Sequence, residues 1–183
     1  NLVDDVLLIS RDNIKIEIIS IPLFKFLTKQ INIVNPLCNT NNVTIEILNI
    51  KKDVSIFADE NLLNTVFSNL LTNSIKYNKL GGHVYISVNI TNNKLIIEIT
   101  DTGIGINKKD LELIFDPFYR CSNVSHINGN GLGLSIVKKN INLMNCDVIV
   151  ESELKKGTTF KLYFNYKIDD LYINYTKDVL YIE

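Results

Sequence analysis

The sequence predicts an α+β fold, a two-layer α/β sandwich with a mixed sheet and with helices on one face. Two alternating segments, HVYISVNI and KLIIEIT, follow each other through the short link TNN and indicate a hairpin. Segments with apolar residues three and four positions apart lie between the strand-like segments and indicate amphipathic helices. The chain has 183 residues, of which 46% are hydrophobic, so it can bury the core of one ordinary domain.

The first third of the chain predicts a helix end, a strand, a helix and two more strands. Residues 1–12 carry apolar side chains at helical spacing and have the pattern of the last turns of a longer helix. The alternating segment KIEIIS predicts a strand. Pro22 begins a helix that places Leu23, Phe26 and Leu27 on one face, and Pro36 is expected to end it. The segments NVTIEILNI and VSIFAD predict the next two strands.

The rest of the chain predicts two further helices and four strands. Asp59 is a good N-cap for a helix whose apolar stripe runs from Leu62 to Ile75 and which ends near YNKLGG. The hairpin follows, and then a connection over residues 103–131 that contains only one short helical segment, KKDLELIF. Connections of this length are typical of functional lids. A helix over residues 132–144 and the strands CDVIVESE and TTFKLYFN complete the domain.

Composition excludes several classes of protein. A formal net charge of −1 and a pI of about 6.2 give no reason to expect a nucleic-acid partner. No apolar run approaches the roughly 18–20 residues that a membrane span needs. The cysteines Cys38, Cys121 and Cys146 are odd in number and widely spaced, which favours reduced structural thiols over a zinc or disulfide framework.

The helix NLLNTVFSNLLTNSIKYN carries a cluster of polar side chains on one side. Asn69 and Asn73 are four residues apart and share a face, and Lys76 and Tyr77 extend that face by one turn. Amide oxygens suit Mg²⁺, a lysine neutralises phosphate, and a tyrosine ring stacks on a base. Taken alone, the cluster is also compatible with an ordinary solvent-facing surface.

Two glycine motifs lie downstream of that helix. In DTGIGI, Asp101 ends a strand and could accept a hydrogen bond from an exocyclic amine, although a simple turn explains the same letters. GNGLGL precedes the last predicted helix, and free N–H groups at a helix N-terminus favour anions. Its spacing differs from G-x-G-x-x-G, and the chain contains no G-x-x-x-x-G-K-[ST]. Dinucleotide-binding and P-loop folds are therefore excluded.

The order of the motifs is more specific than any one of them. The chain presents N-x-x-x-N-x-x-K-Y, D-x-G-x-G, F-x-x-F-Y-R, G-x-G-L-G-L and G-T-T-F, in that order. Over residues 13–166 this series resembles the ATP-binding catalytic domain of sensor histidine kinases, in the superfamily that includes gyrase B, Hsp90 and MutL. The resemblance implies the Bergerat fold, with ATP between loops of the sheet and a mobile lid.

The resemblance also implies roles for individual residues. Asn73 resembles the Mg²⁺ ligand, with Asn69 as a second candidate. Lys76 and Arg120 resemble the phosphate-binding residues, so the implied catalytic set is Asn73, Lys76 and Arg120. Tyr77 flanks the adenine, and Asp101 binds its amine. The remaining implied ATP-binding residues are Gly103, Gly105, Ile106, Phe115, Tyr119, Gly129, Gly131, Leu132, Gly133 and Thr158, with Phe118 in an aromatic box that anchors the lid.

The sequence departs from its relatives at two informative places. The lid segment CSNVSHING lacks the second arginine that many relatives carry. Asn69 stands where the ATPases and serine kinases of the superfamily carry a glutamate that acts as a general base. An amide cannot accept a proton, so hydrolysis is disfavoured and transfer to a histidine nitrogen is favoured.

The implied function is two-component signal transduction by an ATP-dependent protein-histidine kinase. Neither His83 nor His126 lies in the helical context of an acceptor, so the acceptor is expected on an upstream helical hairpin outside this chain. Two alternatives stay open: a non-catalytic nucleotide-binding signalling module, suggested by the single lid arginine, and an Hsp90- or MutL-like ATPase.

The ends of the chain extend this expectation to the parent protein. Residues 1–12 resemble the end of the dimerisation and phosphoacceptor hairpin. Residues 167–183 resemble a linker and the first strand of a receiver domain, with a docked terminal strand as the alternative. The expected partners are that hairpin, a response-regulator receiver in the same or another polypeptide, and a second copy of the full-length protein. The domain is expected in the cytoplasm, in a parent anchored to a membrane by segments outside this chain.

Overall fold

The computed structural model describes residues 15–50, 53–91, 93–124, 127 and 129–166. The predictions for residues 1–12 and 167–183, and for His126, lie outside these residues. The helices are α1 (Leu23–Asn41), α2 (Glu60–Lys76) and α3 (Gly133–Leu143). The strands are β1 (Ile19–Pro22), β2 (Thr44–Leu48), β3 (Ser55–Ala58), β4 (His83–Thr91), β5 (Lys94–Asp101), β6 (Asp147–Glu153) and β7 (Gly157–Asn165).

A five-stranded mixed sheet forms one layer of the domain. Its order is β2-β4-β5-β7-β6, with β2 parallel to β4 and every other pair antiparallel. Alternate residues of the central strands, such as Val84, Ile97 and Leu162, are fully buried and join the buried stripes of the helices in one core. Their neighbours along each strand are partly exposed. The predicted two-layer sandwich with helices on one face is therefore confirmed.

The first strand and the first helix differ from their predicted bounds. β1 begins only at Ile19, because it pairs with the four residues of β3 in a separate antiparallel ribbon. α1 continues through Pro36 to Asn41, so the prediction that Pro36 ends it is wrong. Proline removes one backbone donor, but residue 36 lies on an exposed face where water can bond the released carbonyl. Val34 and Cys38 continue the buried stripe on the opposite face, and their packing favours an uninterrupted helix.

α2 is the central helix and matches its prediction closely. The side chain of Asp59 accepts hydrogen bonds from the N–H groups of Asn61 and Leu62, both at 3.0 Å, and so caps the helix. Phe67 is fully buried and packs edge-on against Phe26 of α1, with ring centroids 5.1 Å apart. The opposite side of α2 faces the candidate site. The apolar stripe thus fixes which polar residues of this helix point toward the site.

The long connection between β5 and α3 contains less helix than its sequence suggests. KKDLELIF forms a 3-10 turn over Lys108–Asp110, followed by hydrogen-bonded turns. The N–H groups of Leu113 and Ile114 both donate to the carbonyl of Asp110, and Pro117 prevents an extension of the helix. No helix in the described part of the chain is long and apolar enough to cross a membrane.

Asn140 is a polar residue buried in the core, and its replacement by an apolar residue tests the described packing. It is 4% exposed on α3, and its Nδ2 has no hydrogen-bond partner among the described residues. We expect Asn140→Leu to raise the free energy of unfolding by about 1–2 kcal/mol, because an unpaired buried amide is costly. Chemical denaturation measures this change. Asn142→Leu, on the exposed side of the same helix, is the matched control and should change little. A less stable Asn140→Leu protein would contradict the described packing.

Candidate functional site

A cavity of about 290 Å³ opens between α2, the end of β5, the long connection and the start of α3. The sequence-predicted residues that line it are Asn69, Asn73, Lys76, Tyr77, Asp101, Gly105, Ile106, Tyr119, Arg120, Gly129, Gly131, Gly133 and Thr158. Residues from five separate sequence motifs therefore meet in one cavity, which is what their joint function requires.

Asp101 forms the inner end of the cavity. It is 7% exposed, and its Oδ1 accepts hydrogen bonds from the N–H groups of Gly103 (2.8 Å) and Thr158 (3.2 Å). Its Oδ2 has no hydrogen-bond partner among the described residues and is the oxygen left for a ligand. Burial raises the pKa of Asp101 to about 6, and the two N–H donors oppose that shift.

Close backbone packing surrounds this carboxylate. Gly157 has a φ of +118°, and a Cβ at this position would lie 1.9 Å from the carbonyl oxygen of Asp101. Only glycine fits here, which lets β7 start directly against the end of β5. Gly103 lies behind Asp101 and does not line the cavity; a Cβ there would lie 2.4 Å from the carbonyl oxygen of Tyr77. Gly103 therefore shapes the wall from behind.

The polar face of α2 supplies the opposite wall. The Nδ2 group of Asn69 donates to the carbonyl of Thr65 at 2.9 Å, which fixes the orientation of the side-chain amide. Its Oδ1 consequently points toward the start of α3, where a Cβ on Gly133 would lie only 2.8 Å from it. Burial, and next the nearby charge of Arg120, lower the pKa of Lys76. A lysine and an arginine that repel each other across a cavity form a site for an anion.

The two ends of the lid, at Phe118 and Gly131, are joined by a backbone hydrogen bond, and we call this junction the lid root. The N–H of Phe118 donates to the carbonyl of Gly131 at 3.0 Å. Gly131 has a φ of +74°, and a Cβ there would lie 2.7 Å from the carbonyl carbon of Phe118. Between these ends, Arg120 donates hydrogen bonds to the carbonyls of Val124 and Ile127. The arginine therefore lines the cavity while it is bonded to the lid itself.

Three aromatic or apolar predictions need correction. Phe118 has a positive φ and a 61% exposed side chain, so it does not anchor the lid as expected. Phe115 lies outside the cavity lining and borders a neighbouring groove, where Lys138 lies over its ring at 5.9 Å. Leu132 is fully buried and also lies outside the lining, and its N–H donates to Oδ1 of Asn130. The N–H groups available at this helix start therefore begin at Gly133.

Sequence reasoning missed several residues of the site. Ser74 lines the cavity, is 1% exposed, and its hydroxyl oxygen has no hydrogen-bond partner in the described structure. Its position directly after Asn73 was the available signal. Ser152 accepts from the N–H of Ile106 at 2.8 Å and bonds Thr158 and Gly157. No sequence signal identifies Ser152, because its place depends on the register of β6. Ser152 itself lies outside the cavity lining, and the missed residues that line the cavity besides Ser74 are Thr72, Ile104, Ile114, Cys121, Val124, Asn130, Leu134 and Phe160.

This fold and this cavity define a nucleotide-binding domain with a lid. Residues 58–168 match the family model described as histidine kinase-, DNA gyrase B-, and HSP90-like ATPase. The match covers more than half of the chain, and the chain belongs to this family. The family is one of ATP-binding domains.

Individual relatives are sensor kinases. The chain is 36% identical over 140 residues to the autoinducer 2 sensor kinase/phosphatase LuxQ of Vibrio vulnificus, covering 72% of this chain and 16% of that protein. It is 47% identical over 96 residues to the signal transduction histidine-protein kinase ArlS of Staphylococcus epidermidis, covering 51% of this chain and 21% of that protein. The chain thus spans about a sixth to a fifth of the length of these relatives.

Solved structures share the fold. The catalytic domain of histidine kinase ThkA superposes with a TM-score of 0.72 at 22% identity, over 81% of this chain and 95% of that domain. The same kinase in complex with response regulator protein TrrA superposes with a TM-score of 0.73 at 21% identity, over 91% of this chain and 46% of that chain. These similarities confirm the predicted α+β sandwich.

The raised pKa of Asp101 predicts an unusual dependence of stability on pH. Because the folded protein binds this proton more tightly than the unfolded chain does, the contribution is complete below about pH 4 and is lost as the pH rises through about 6. Asp101→Asn keeps an oxygen for the N–H groups of Gly103 and Thr158 and removes the titration.

Chemical denaturation of both proteins over this pH range measures the effect. We expect the stability of the wild type relative to Asp101→Asn to fall by about 2–3 kcal/mol between about pH 4 and pH 7. Asp147→Asn, at an exposed position, is the control and should give no such trend. A difference that stays constant with pH would show that the Asp101 carboxylate is not buried as described.

Proposed function

We propose that this chain is the catalytic and ATP-binding domain of a sensor histidine kinase. It would transfer the γ-phosphoryl group of ATP to a histidine on an upstream helical hairpin outside this chain. One observation carries the choice of reaction. Among the described residues that line the cavity, Asp101 is the only carboxylate, and it is buried and bonded to the N–H groups of Gly103 and Thr158. The wall beside Asn73 instead presents the amide of Asn69.

Adenine recognition follows from the inner end of the cavity. The free Oδ2 of Asp101 accepts a hydrogen bond from the exocyclic amine, while Oδ1 stays bonded to the backbone. Tyr77 also lines the cavity, with its carbonyl against Gly103 and its ring 5.5 Å from Nζ of Lys76, and burial raises the pKa of its phenol. The apolar side chains of Ile104 and Ile106 complete a wall for the flat ring. The base is thus bound by one polar contact inside a largely apolar slot.

The phosphates occupy the opposite end. Lys76 and Arg120 supply positive charge, and the first N–H groups of α3 supply dipoles that favour an anion. The amide oxygens of Asn69 and Asn73 suit Mg²⁺, which usually shares its coordination with waters and substrate phosphates. When bound, the ion supplies charge neutralisation between the phosphates. No group of three or more His, Cys, Asp or Glu side chains that could hold a metal ion occurs among the described residues.

The nucleophile explains why the site needs no general base. A neutral imidazole has a lone pair ready to attack, whereas a water molecule or a serine hydroxyl must lose a proton. Phosphoryl transfer then depends on alignment and on stabilisation of the equatorial charge. Arg120 must exchange its bonds to Val124 and Ile127 for the γ-phosphate, and that exchange couples lid movement to catalysis.

The proposal extends to the parent protein. The hairpin end over residues 1–12, the catalytic domain over 13–166 and the receiver strand over 167–183 remain proposals. A response regulator, a homodimeric parent and a cytoplasmic position below a membrane anchor belong to the same proposal. The ThkA–TrrA complex supports a response-regulator partner by analogy of fold.

A non-catalytic signalling module is the second candidate. The observation in its favour is that Arg120 is the one arginine in the described residues and is bonded to lid carbonyls. In such a module, lid closure over ATP would be the output. An Hsp90- or MutL-like ATPase is disfavoured because Asn69 offers no base.

Transfer in trans tests the proposed function. The chain is mixed with the phosphoacceptor hairpin of its own parent gene and with ATP labelled in the γ-phosphate. We expect acid-labile, base-stable label on the hairpin and none on the chain alone, because the acceptor lies outside it. Binding of Mg-ATP without transfer would favour the signalling module. Steady phosphate release without the hairpin would favour an ATPase.

Asn73→Asp tests the placement of the phosphate end. A new carboxylate beside the triphosphate should cost about 3 kcal/mol and weaken Mg-ATP binding by roughly a hundredfold or more. Calorimetry measures the affinity. Asn142→Asp makes the same chemical change on the exposed side of α3 and should leave the affinity unchanged. If Asn73→Asp bound Mg-ATP as tightly as the wild type, the assignment of this site would be wrong.

A further inference from the structure

Asp110 is a buried carboxylate that the proposed reaction does not use. It is 6% exposed, lies at the end of the 3-10 turn Lys108–Asp110 and does not line the cavity. The phenol of Tyr119 donates a hydrogen bond to its Oδ1 at 2.9 Å. A buried carboxylate is costly unless it is bonded, so its partners indicate what it is for.

A second side chain lies against the same carboxylate. Burial, and next the charge of Asp110, raise the pKa of the Cys121 thiol, which keeps it protonated. The hydrogen bond to Asp110 likewise raises the pKa of Tyr119 and keeps the phenol a donor. Tyr119 and Cys121 are the two chain neighbours of Arg120. One carboxylate therefore contacts the residues on both sides of the lid arginine.

Asp110 itself is firmly held. Its N–H donates to the carbonyl of Asn107 at 2.9 Å, and its carbonyl accepts from Leu113 and Ile114. Just before this turn, the N–H of Ile106 is bonded to Ser152 of β6. The carboxylate thus belongs to a segment tied to the sheet, whereas the residues it holds belong to the lid.

We propose that Asp110 is a positioning residue for Arg120. It holds Tyr119 and Cys121 against the segment that is tied to the sheet. It thereby fixes the position of the backbone of Arg120, which lies between them. The guanidinium can then exchange the lid carbonyls for a γ-phosphate while its own backbone stays in place. This inference rests on the proposed kinase function, because it assigns Asp110 to the alignment step of that reaction.

The hydrogen bond between Tyr119 and Asp110 can be removed by a substitution at either residue. Tyr119→Phe removes one hydroxyl, and Asp110→Ala removes the carboxylate. Asp110→Asn keeps an oxygen that can accept from Tyr119 and is the conservative variant. Asp147→Ala, at an exposed position on β6, is the matched control for loss of an aspartate.

The experiment measures the rate and the ATP dependence of transfer in trans, with the hairpin of the parent gene as acceptor. We expect Tyr119→Phe and Asp110→Ala to lower kcat by about ten- to hundredfold, the range for a misplaced reacting group, while the KM for ATP changes less than threefold. Asp110→Asn should recover most of kcat. The double variant Asp110→Ala/Tyr119→Phe should be no slower than Asp110→Ala alone, because both changes cut one link.

A further readout, hydrogen exchange, helps to separate the possible failures. Hydrogen exchange should show faster exchange at residues 118–124 in both single variants, with the sheet unchanged. If Asp110→Ala does not fold, Tyr119→Phe alone decides. An unchanged kcat in Tyr119→Phe would overturn the positioning role. The same would follow if Asp110→Asn and Asp110→Ala raised KM and lowered kcat to the same extent. Absence of transfer by the wild type itself would instead overturn the proposed function, and the inference with it.

Discussion

The site depends on one shared acceptor, the Oδ1 atom of Asp101. It receives the N–H of Gly103 from the loop after β5 and the N–H of Thr158 from the start of β7. These two bonds join the loop after β5 to the strand beside it, so this wall of the cavity is a continuation of the sheet. Because Oδ1 is occupied, the orientation of the whole carboxylate is fixed and Oδ2 faces the cavity before any ligand arrives. A preorganised acceptor of this kind is the condition for selective binding of an amine.

Charge is divided between the two ends of the cavity in a way that suits a nucleoside triphosphate. The inner end holds the only carboxylate of the described lining, and burial brings its pKa to about 6. The outer end holds Lys76 and Arg120, and burial, followed by the nearby charge of Arg120, lowers the pKa of the lysine. An anion that binds between them relieves this repulsion, whereas a neutral ligand does not. The charges of the free protein therefore already favour an anionic ligand over a neutral one at this part of the cavity.

Much of this arrangement could be predicted from the sequence, because it is local. Helical spacing put Asn69, Asn73 and Lys76 on one face of α2, and the hairpin β4–β5 placed Asp101 at a strand end. What could not be predicted depends on contacts between distant segments. Ser152 bonds Ile106 and Thr158 of the cavity lining through the register of β6 against β7, which no local pattern encodes.

The errors in the prediction have the same origin. Pro36 was expected to end α1, but a buried stripe on the far side of the helix outweighs the one lost hydrogen bond. Phe118 has an aromatic side chain in a suitable motif, yet the bond from its N–H to Gly131 turns the side chain outward. In both cases a tertiary contact decided between two structures that the local sequence allowed.

The bond between Phe118 and Gly131 has a consequence for how the lid can vary. It holds together the two ends of the segment over residues 119–130. The entropic cost of closing this loop is therefore part of the folding of the domain and is not added to the cost of binding a ligand. Each doubling of the length of a flexible loop then costs only about 0.6 kcal/mol. Insertions and deletions at the tip can therefore accumulate without moving the residues at the root. The lid is the part of this domain whose length can change while the cavity beside it stays the same.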